Sequence, residues 1–218
     1  MTPDRSDPGI AGAPGGPGAA AVARTTGRPG SAGTAGVSDD PYERARQVCL
    51  LMLTAAPRTS AQLADAMRRK GVPAEAADAV LSRLTEVGLI DDAAFARAWV
   101  ESRHHSRGLS RRALTAELTR RGVQGEDVQA AVGALDPDQE IATARRLVVK
   151  AMASTRGRPP TARVRRLVGL LARKGYSAPV AYRVVREALE QEGIDAADEG
   201  IDLDGLEGAI DAAGAADQ

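Results

Sequence analysis

Apolar residues recur every three or four positions over long stretches of this chain. The clearest case lies between Gly88 and Arg103, which reads Gly-Leu-Ile-Asp-Asp-Ala-Ala-Phe-Ala-Arg-Ala-Trp-Val-Glu-Ser-Arg. Phe95, Ala96, Trp99 and Val100 fall on one helical stripe. Glycine tolerates the left-handed turn that ends a helix, and aspartate accepts the free N–H groups that open one. Gly88 is therefore predicted to close a helix and the Asp91/Asp92 pair to begin the next. Asp91, Asp92, Phe95 and Trp99 form the expected hub where two helical modules meet.

The same period predicts helices on both sides of this hub. Asp40 and Pro41 are a cap and a first-turn proline for a helix over 42–55. Pro57 ends it, Thr59 or Ser60 restarts a helix to about 70, and a third over 73–87 carries Ala76, Val80, Leu81 and Leu84 on one side. This three-helix pattern returns. Leu63-x-x-x-Met67-x-Arg69-Lys70-Gly71-Val72 matches Leu114-x-x-x-Leu118-x-Arg120-Arg121-Gly122-Val123 and Leu167-x-x-x-Leu171-x-Arg173-Lys174-Gly175-Tyr176, the glycines lying 51 and then 53 residues apart. The second unit is read as helices over 91–105, 110–121 and 124–135. The third starts after Asp136 and Pro137, has a longer link over 154–160, and continues through 161–174 and 178–190.

The expected fold class is all-α, with tandem three-helix repeats over 41–90, 91–136 and 137–190. Units of about fifty residues bury little surface alone, so they are expected to stack into an elongated array. Residues 1–40, rich in Gly, Ala and Pro, and the acidic stretch 191–218 lack sustained periodicity and are expected to be disordered tails.

Charge changes this picture. Lys+Arg and Asp+Glu both total 29 in the 218 residues, but residues 41–190 hold 26 basic against 16 acidic side chains, while 191–218 hold no basic residue and 9 acidic ones. A basic body implies an anionic partner. The candidate contact residues are Arg103, Arg107, Arg111, Arg112, Arg120 and Arg121 in the second unit, and Arg145, Arg146, Lys150, Arg163, Arg165, Arg166, Arg173 and Lys174 in the third. The helix dipole alone accounts for the basic pairs before the glycines, at about 0.3–1 kcal/mol each. It does not explain the excess over 141–190. The acidic tail is a candidate competitor for the same basic face. No aromatic residues alternate with the arginines, which argues against a base-stacking platform.

Catalytic chemistry finds little support. His104 and His105 are adjacent, so on a helix they diverge by about 100° and read as surface histidines rather than a metal pair. Asp91 and Asp92 lack further ligands at a recognisable spacing. No phosphate loop, nucleophile elbow or Cys/His metal signature is present, so no catalytic residue, metal or cofactor is expected. Cys49, the lone cysteine, should pack as a small apolar residue. Without a signal-peptide core or a membrane-length apolar run, a cytoplasmic, non-membrane protein is expected.

Gly88 through Arg103, followed by Arg107-Gly-Leu-Ser-Arg-Arg-Ala-Leu-x-x-Glu-Leu118 and Arg121-Gly-Val123, resembles the middle repeat of the RecX regulatory proteins. Leu171-Ala-Arg-Lys-Gly-Tyr-Ser177 looks like that family's last repeat. The resemblance spans about residues 41–190. It implies a non-enzymatic protein that binds the RecA recombinase filament on DNA, lies in its helical groove and restrains ATP hydrolysis and strand exchange. Inhibition of filament growth, weak electrostatic binding of single- or double-stranded DNA and a monomeric state are the accompanying expectations. A competing reading takes residues 59–91 as the helix-turn-helix of a transcriptional regulator. That would place the helix over 73–87 in a major groove, where Glu75, Asp78 and Glu86 against a single Arg83 suit phosphates poorly.

Overall fold

The structure is a computed structural model and describes residues 40–193. Among these it contains nine α-helices and one short 3-10 turn, and no strand. The first set is α1 (Pro41–Ala55), α2 (Ser60–Arg69) and α3 (Ala74–Glu86). The second is α4 (Asp92–Arg107), α5 (Arg111–Arg120) and α6 (Gly125–Gly133). The third is α7 (Pro137–Met152), the turn Ala153–Thr155, α8 (Pro160–Arg173) and α9 (Ala178–Gln191). Of the two expected tails, residues 1–39 and 194–218 lie outside the described residues, whereas the start of the acidic stretch is ordered: Gln191 ends α9 and Glu192 pairs with Arg163 and Arg156.

Local sequence sets the helix starts. Asp40, Asp91 and Asp136 accept N–H bonds at the openings of α1, α4 and α7. Thr59 and Gln62 form a reciprocal capping box on α2, and the Ser110 hydroxyl accepts from Ala113 N at 3.3 Å on α5. Such caps contribute about 1 kcal/mol each. The expected helices recur with ends shifted by a residue or two. The main difference is the 154–160 link, where the chain tightens into the 3-10 turn and α8 begins at Pro160, giving that helix one more turn than α2 or α5.

Each set of helices closes on its own core. Leu63, Met67 and Leu84 meet Ala45 and Cys49 in the first. Leu114 and Leu118 meet Ala96, Val100 and Val132 in the second. Leu167, Leu171, Val184 and Leu189 meet Ala144 and Val148 in the third. The Cys49 thiol is buried beside Met67 Sδ at 3.6 Å, and burial raises its pKa.

Neighbouring repeats are joined by a device used twice. The N-terminus of the second helix in one repeat meets the glycine turn of the next repeat, and its first N–H is received by a carboxylate from that repeat's first helix. At the first joint, Thr59 Oγ1 donates to the Arg121 carbonyl at 2.7 Å and Ser60 N–H to Asp92 Oδ1 at 2.9 Å. At the second, Ser110 N–H donates to the Lys174 carbonyl and Arg111 N–H to Glu140 Oε1, both at 2.9 Å. Orphan N–H groups of one repeat are thus satisfied by the next.

Candidate functional site

The turn before each glycine divides its basic pair between two tasks. The inner members Arg69, Arg120 and Arg173 are exposed, on the last turn of the helix where positive charge complements the dipole. The outer members of the second and third repeats are drawn into the joints. Lys174 Nζ donates to the Arg107 carbonyl at 2.7 Å, and Arg121 stacks on Trp99, its guanidinium carbon 3.6 Å from the ring centroid.

Around Trp99 the hub takes shape. Phe95 stacks on it with centroids 5.6 Å apart, Arg103 lies 4.1 Å from the same ring, and the indole N–H donates to Glu117 Oε2 at 2.8 Å. Burial lowers the pKa of Arg121, with Arg103 and Arg58 adding to the effect and Glu117 opposing it. Gln62, Glu117, Arg120 and Arg121 line an open notch beside this cluster. Asp91 serves as a cap, and Asp92 ties the second repeat to the first.

The predicted contact residues divide by surroundings. Arg107, Arg112, Arg120, Lys150, Arg165, Arg166 and Arg173 are exposed and have no carboxylate within 4.0 Å among the described residues. Arg146 is exposed and donates to Thr143 Oγ1. By helical spacing Arg146 shares a face with Lys150, and Arg166 with Arg173. Arg145 pairs with Glu187 at 3.0 Å and Arg103 with Glu117 at 3.8 Å. Arg111 is half-buried, bonded to the Leu135 carbonyl and near Glu140.

Arg163 departs from the expectation. It is 5% exposed, its Nε donates to Thr155 Oγ1 at 3.2 Å, and its guanidinium pairs with Glu192. The extra turn of α8 carries it into the fold, so it is a structural cation and not part of a contact face. Its hydrogen bond holds the Glu192 carboxyl below the ordinary range, burial opposing and Arg156 assisting. A depressed folded-state value makes this pair stabilising above the usual carboxylate pKa, with the contribution lost as pH falls through the folded value. Wild type should therefore unfold at a higher temperature than Glu192→Gln near neutral pH, the gap closing in acid. A gap that persists in acid would remove the assignment.

His104 also departs from the expectation of a mere surface group. It is half-buried, Nδ1 2.9 Å from the Leu109 carbonyl and Nε2 2.9 Å from Thr143 Oγ1, and so bridges the second and third repeats. His105 is exposed. The bridging role of His104 is not legible in the sequence, because Thr143 lies on another helix. Arg58 is close enough to Arg121 to act on its charge yet stands outside both basic clusters of the sequence. On the competing reading's helix, α3, the lone base Arg83 is bonded to Glu86 at 3.2 Å. Among the described residues no cluster of three His, Cys, Asp or Glu side chains could hold a metal ion. No helix there is long and apolar enough to cross a membrane.

Comparison with known proteins agrees with this architecture. Residues 45–84 match the family model of the first three-helix domain of RecX, and residues 91–132 that of the second. A regulatory protein RecX from Thermobifida fusca (strain YX) is 60% identical over 157 residues, 72% of this chain and 85% of the relative. One from Streptomyces lividans is 58% identical over 156 residues, 72% and 83% of the two chains. The crystal structure of RecX from Lactobacillus salivarius superposes with a TM-score of 0.62 at 15% identity, covering 67% of this chain and 96% of that one. Another regulatory protein RecX structure gives 0.62 at 23% identity, covering 68% and 74%. These last two speak to the fold. With two domains matched in order, and relatives this similar over most of both chains, the protein belongs to the RecX family of regulatory proteins.

Proposed function

We propose that the chain is a non-enzymatic, monomeric cytoplasmic regulator that binds the RecA recombinase filament on DNA and restrains its ATP hydrolysis, strand exchange and growth. The observation that carries the reading, beside family membership, is the set of exposed cations on the second and third repeats without carboxylate partners among the described residues. Arginine's planar fork suits carboxylates of a protein surface and phosphates of DNA alike. Such groups set association rate and salt dependence more than raw affinity. DNA contact on this reading is weak and electrostatic.

Reversing Arg165 and Arg166 to glutamate tests it. Both side chains are exposed, so stability should change by no more than about 0.5 kcal/mol each. The concentration giving half-inhibition of filament ATP hydrolysis should rise at least about tenfold, and more steeply at low salt. Unchanged inhibition at low salt would remove the contact assignment.

A further inference from the structure

The first repeat leaves open the face by which the third is held. Superposing the first helices on their buried alanines Ala45, Ala96 and Ala144, and on the core residues Cys49, Val100 and Val148 one turn later, makes Arg44 and Val48 the counterparts of Thr143 and Leu147. The glycine turns make Lys70 and Gly71 the counterparts of Lys174 and Gly175. In the third repeat these residues grip the corner between α4 and α5. Thr143 meets His104, and Leu147 packs so closely under Gly108 that a Cβ there would stand 2.8 Å from its methyl. Lys174 Nζ takes the Arg107 carbonyl, and its own carbonyl takes the Ser110 N–H.

In the first repeat Arg44, Gln47, Val48, Leu51, Met52 and Lys70 line an open groove. Leu51 is 73% exposed, and among the described residues nothing stands within 4 Å of where a Cβ on Gly71 would lie. Arg44 Nε is buried without a hydrogen-bond partner, and neither Arg44 nor Lys70 has a carboxylate partner among the described residues. Terminal repeats ordinarily close an array with a polar outer face. This one is apolar and cationic.

We propose that the groove docks a helix–corner–helix element of a partner protein. The last turn of one helix would bring its free carbonyls and negative dipole end to Lys70 and Arg44, and the polar-capped start of the next would lie over Gly71. A second copy of the chain does not fit. Its first two corners are already taken at its own joints, and the third is rebuilt: Pro159 and Pro160 have no N–H to donate, and Arg163 stands twelve residues before Gly175, where Thr59 and Ser110 stand before theirs. The inference rests on the filament reading, which makes the partner a recombinase subunit, and adds a protein contact separate from the arginines of the second and third repeats.

The test places the photo-crosslinker benzoylphenylalanine at Leu51 in the full-length chain, irradiated with recombinase filaments on single-stranded DNA and a non-hydrolysable ATP analogue. Cross-linked peptides should come from a helix end of the recombinase. Cross-links to residues 1–39 of the same chain, to a second copy, or to nothing while the wild-type chain co-sediments with filaments would overturn the proposal and leave the filament reading intact. A wild-type chain that fails to co-sediment would sink both. In parallel, Leu51→Glu with Lys70→Glu should weaken filament binding at least tenfold while oligonucleotide binding and the unfolding midpoint stay at wild-type values. Unchanged filament affinity would also overturn it.

Discussion

Gly175→Ala should destabilise the protein by about 3 kcal/mol or more, and Gly71→Ala by only about 1 kcal/mol. Both glycines have positive φ, 85° and 70°, a conformation that costs an L-residue roughly 1–2 kcal/mol. Only Gly175 adds a steric term. A Cβ there would lie 2.6 Å from Ser110 Oγ and 2.7 Å from Ala113 Cβ, whereas at Gly71 it would meet nothing within 4 Å among the described residues. Ala113 sits on a helix and cannot swing aside, so the joint must open, and overpacking of this kind costs about 1–3 kcal/mol. Gly122→Ala, whose Cβ would run into Ala61, should behave like Gly175→Ala. Urea denaturation of the three variants compares them directly. Because the penalty falls on a joint, the Gly175 variant should also broaden the transition as the third repeat uncouples. Equal losses at Gly71 and Gly175 would refute the tight joint.

Arg163→Glu is expected to cost about 3–5 kcal/mol, because it leaves an unpaired carboxylate at a position only 5% exposed. The introduced carboxylate would face Glu192 and leave the Thr155 hydroxyl without its donor. Arg165→Glu, two residues away but exposed, should cost no more than about 0.5 kcal/mol. Arg163→Met, which keeps the side-chain volume, should fall between them. Chemical denaturation monitored by helical circular dichroism distinguishes the three. A wild-type-like midpoint for Arg163→Glu would return this residue to the contact face. The contrast also means that a triple reversal of Arg163, Arg165 and Arg166 cannot report on binding alone, since it unsettles the third core.

Much of the fold is legible in one dimension because its causes are local. Aspartates at 40, 91 and 136 cap helices through atoms two or three residues away, and the apolar spacing of Leu63 and Met67, Leu114 and Leu118, and Leu167 and Leu171 marks buried faces without knowledge of what covers them. Recurrence of one pattern around Gly71, Gly122 and Gly175 exposes the repeat. The contact residues were less legible. Arg163 and Arg165 look alike in a basic run, and their fates differ because a longer link and one added turn of α8 rotate the first into the interior. His104 resembles His105 until Leu109 and Thr143, five and thirty-nine residues away, are brought against it.

By itself, the sequence determined that the protein is built from repeated three-helix units, where the helices start and turn to within a residue or two, and that their bodies are basic. Periodicity and capping are short-range effects, and both are written in neighbouring residues. Only the tertiary structure decided which cations are spent inside the fold, which tie one repeat to the next, and which face of the first repeat is left uncovered. Those outcomes depend on groups from eight to sixty-seven residues apart coming together, within a repeat or across a joint, in a geometry no local pattern encodes.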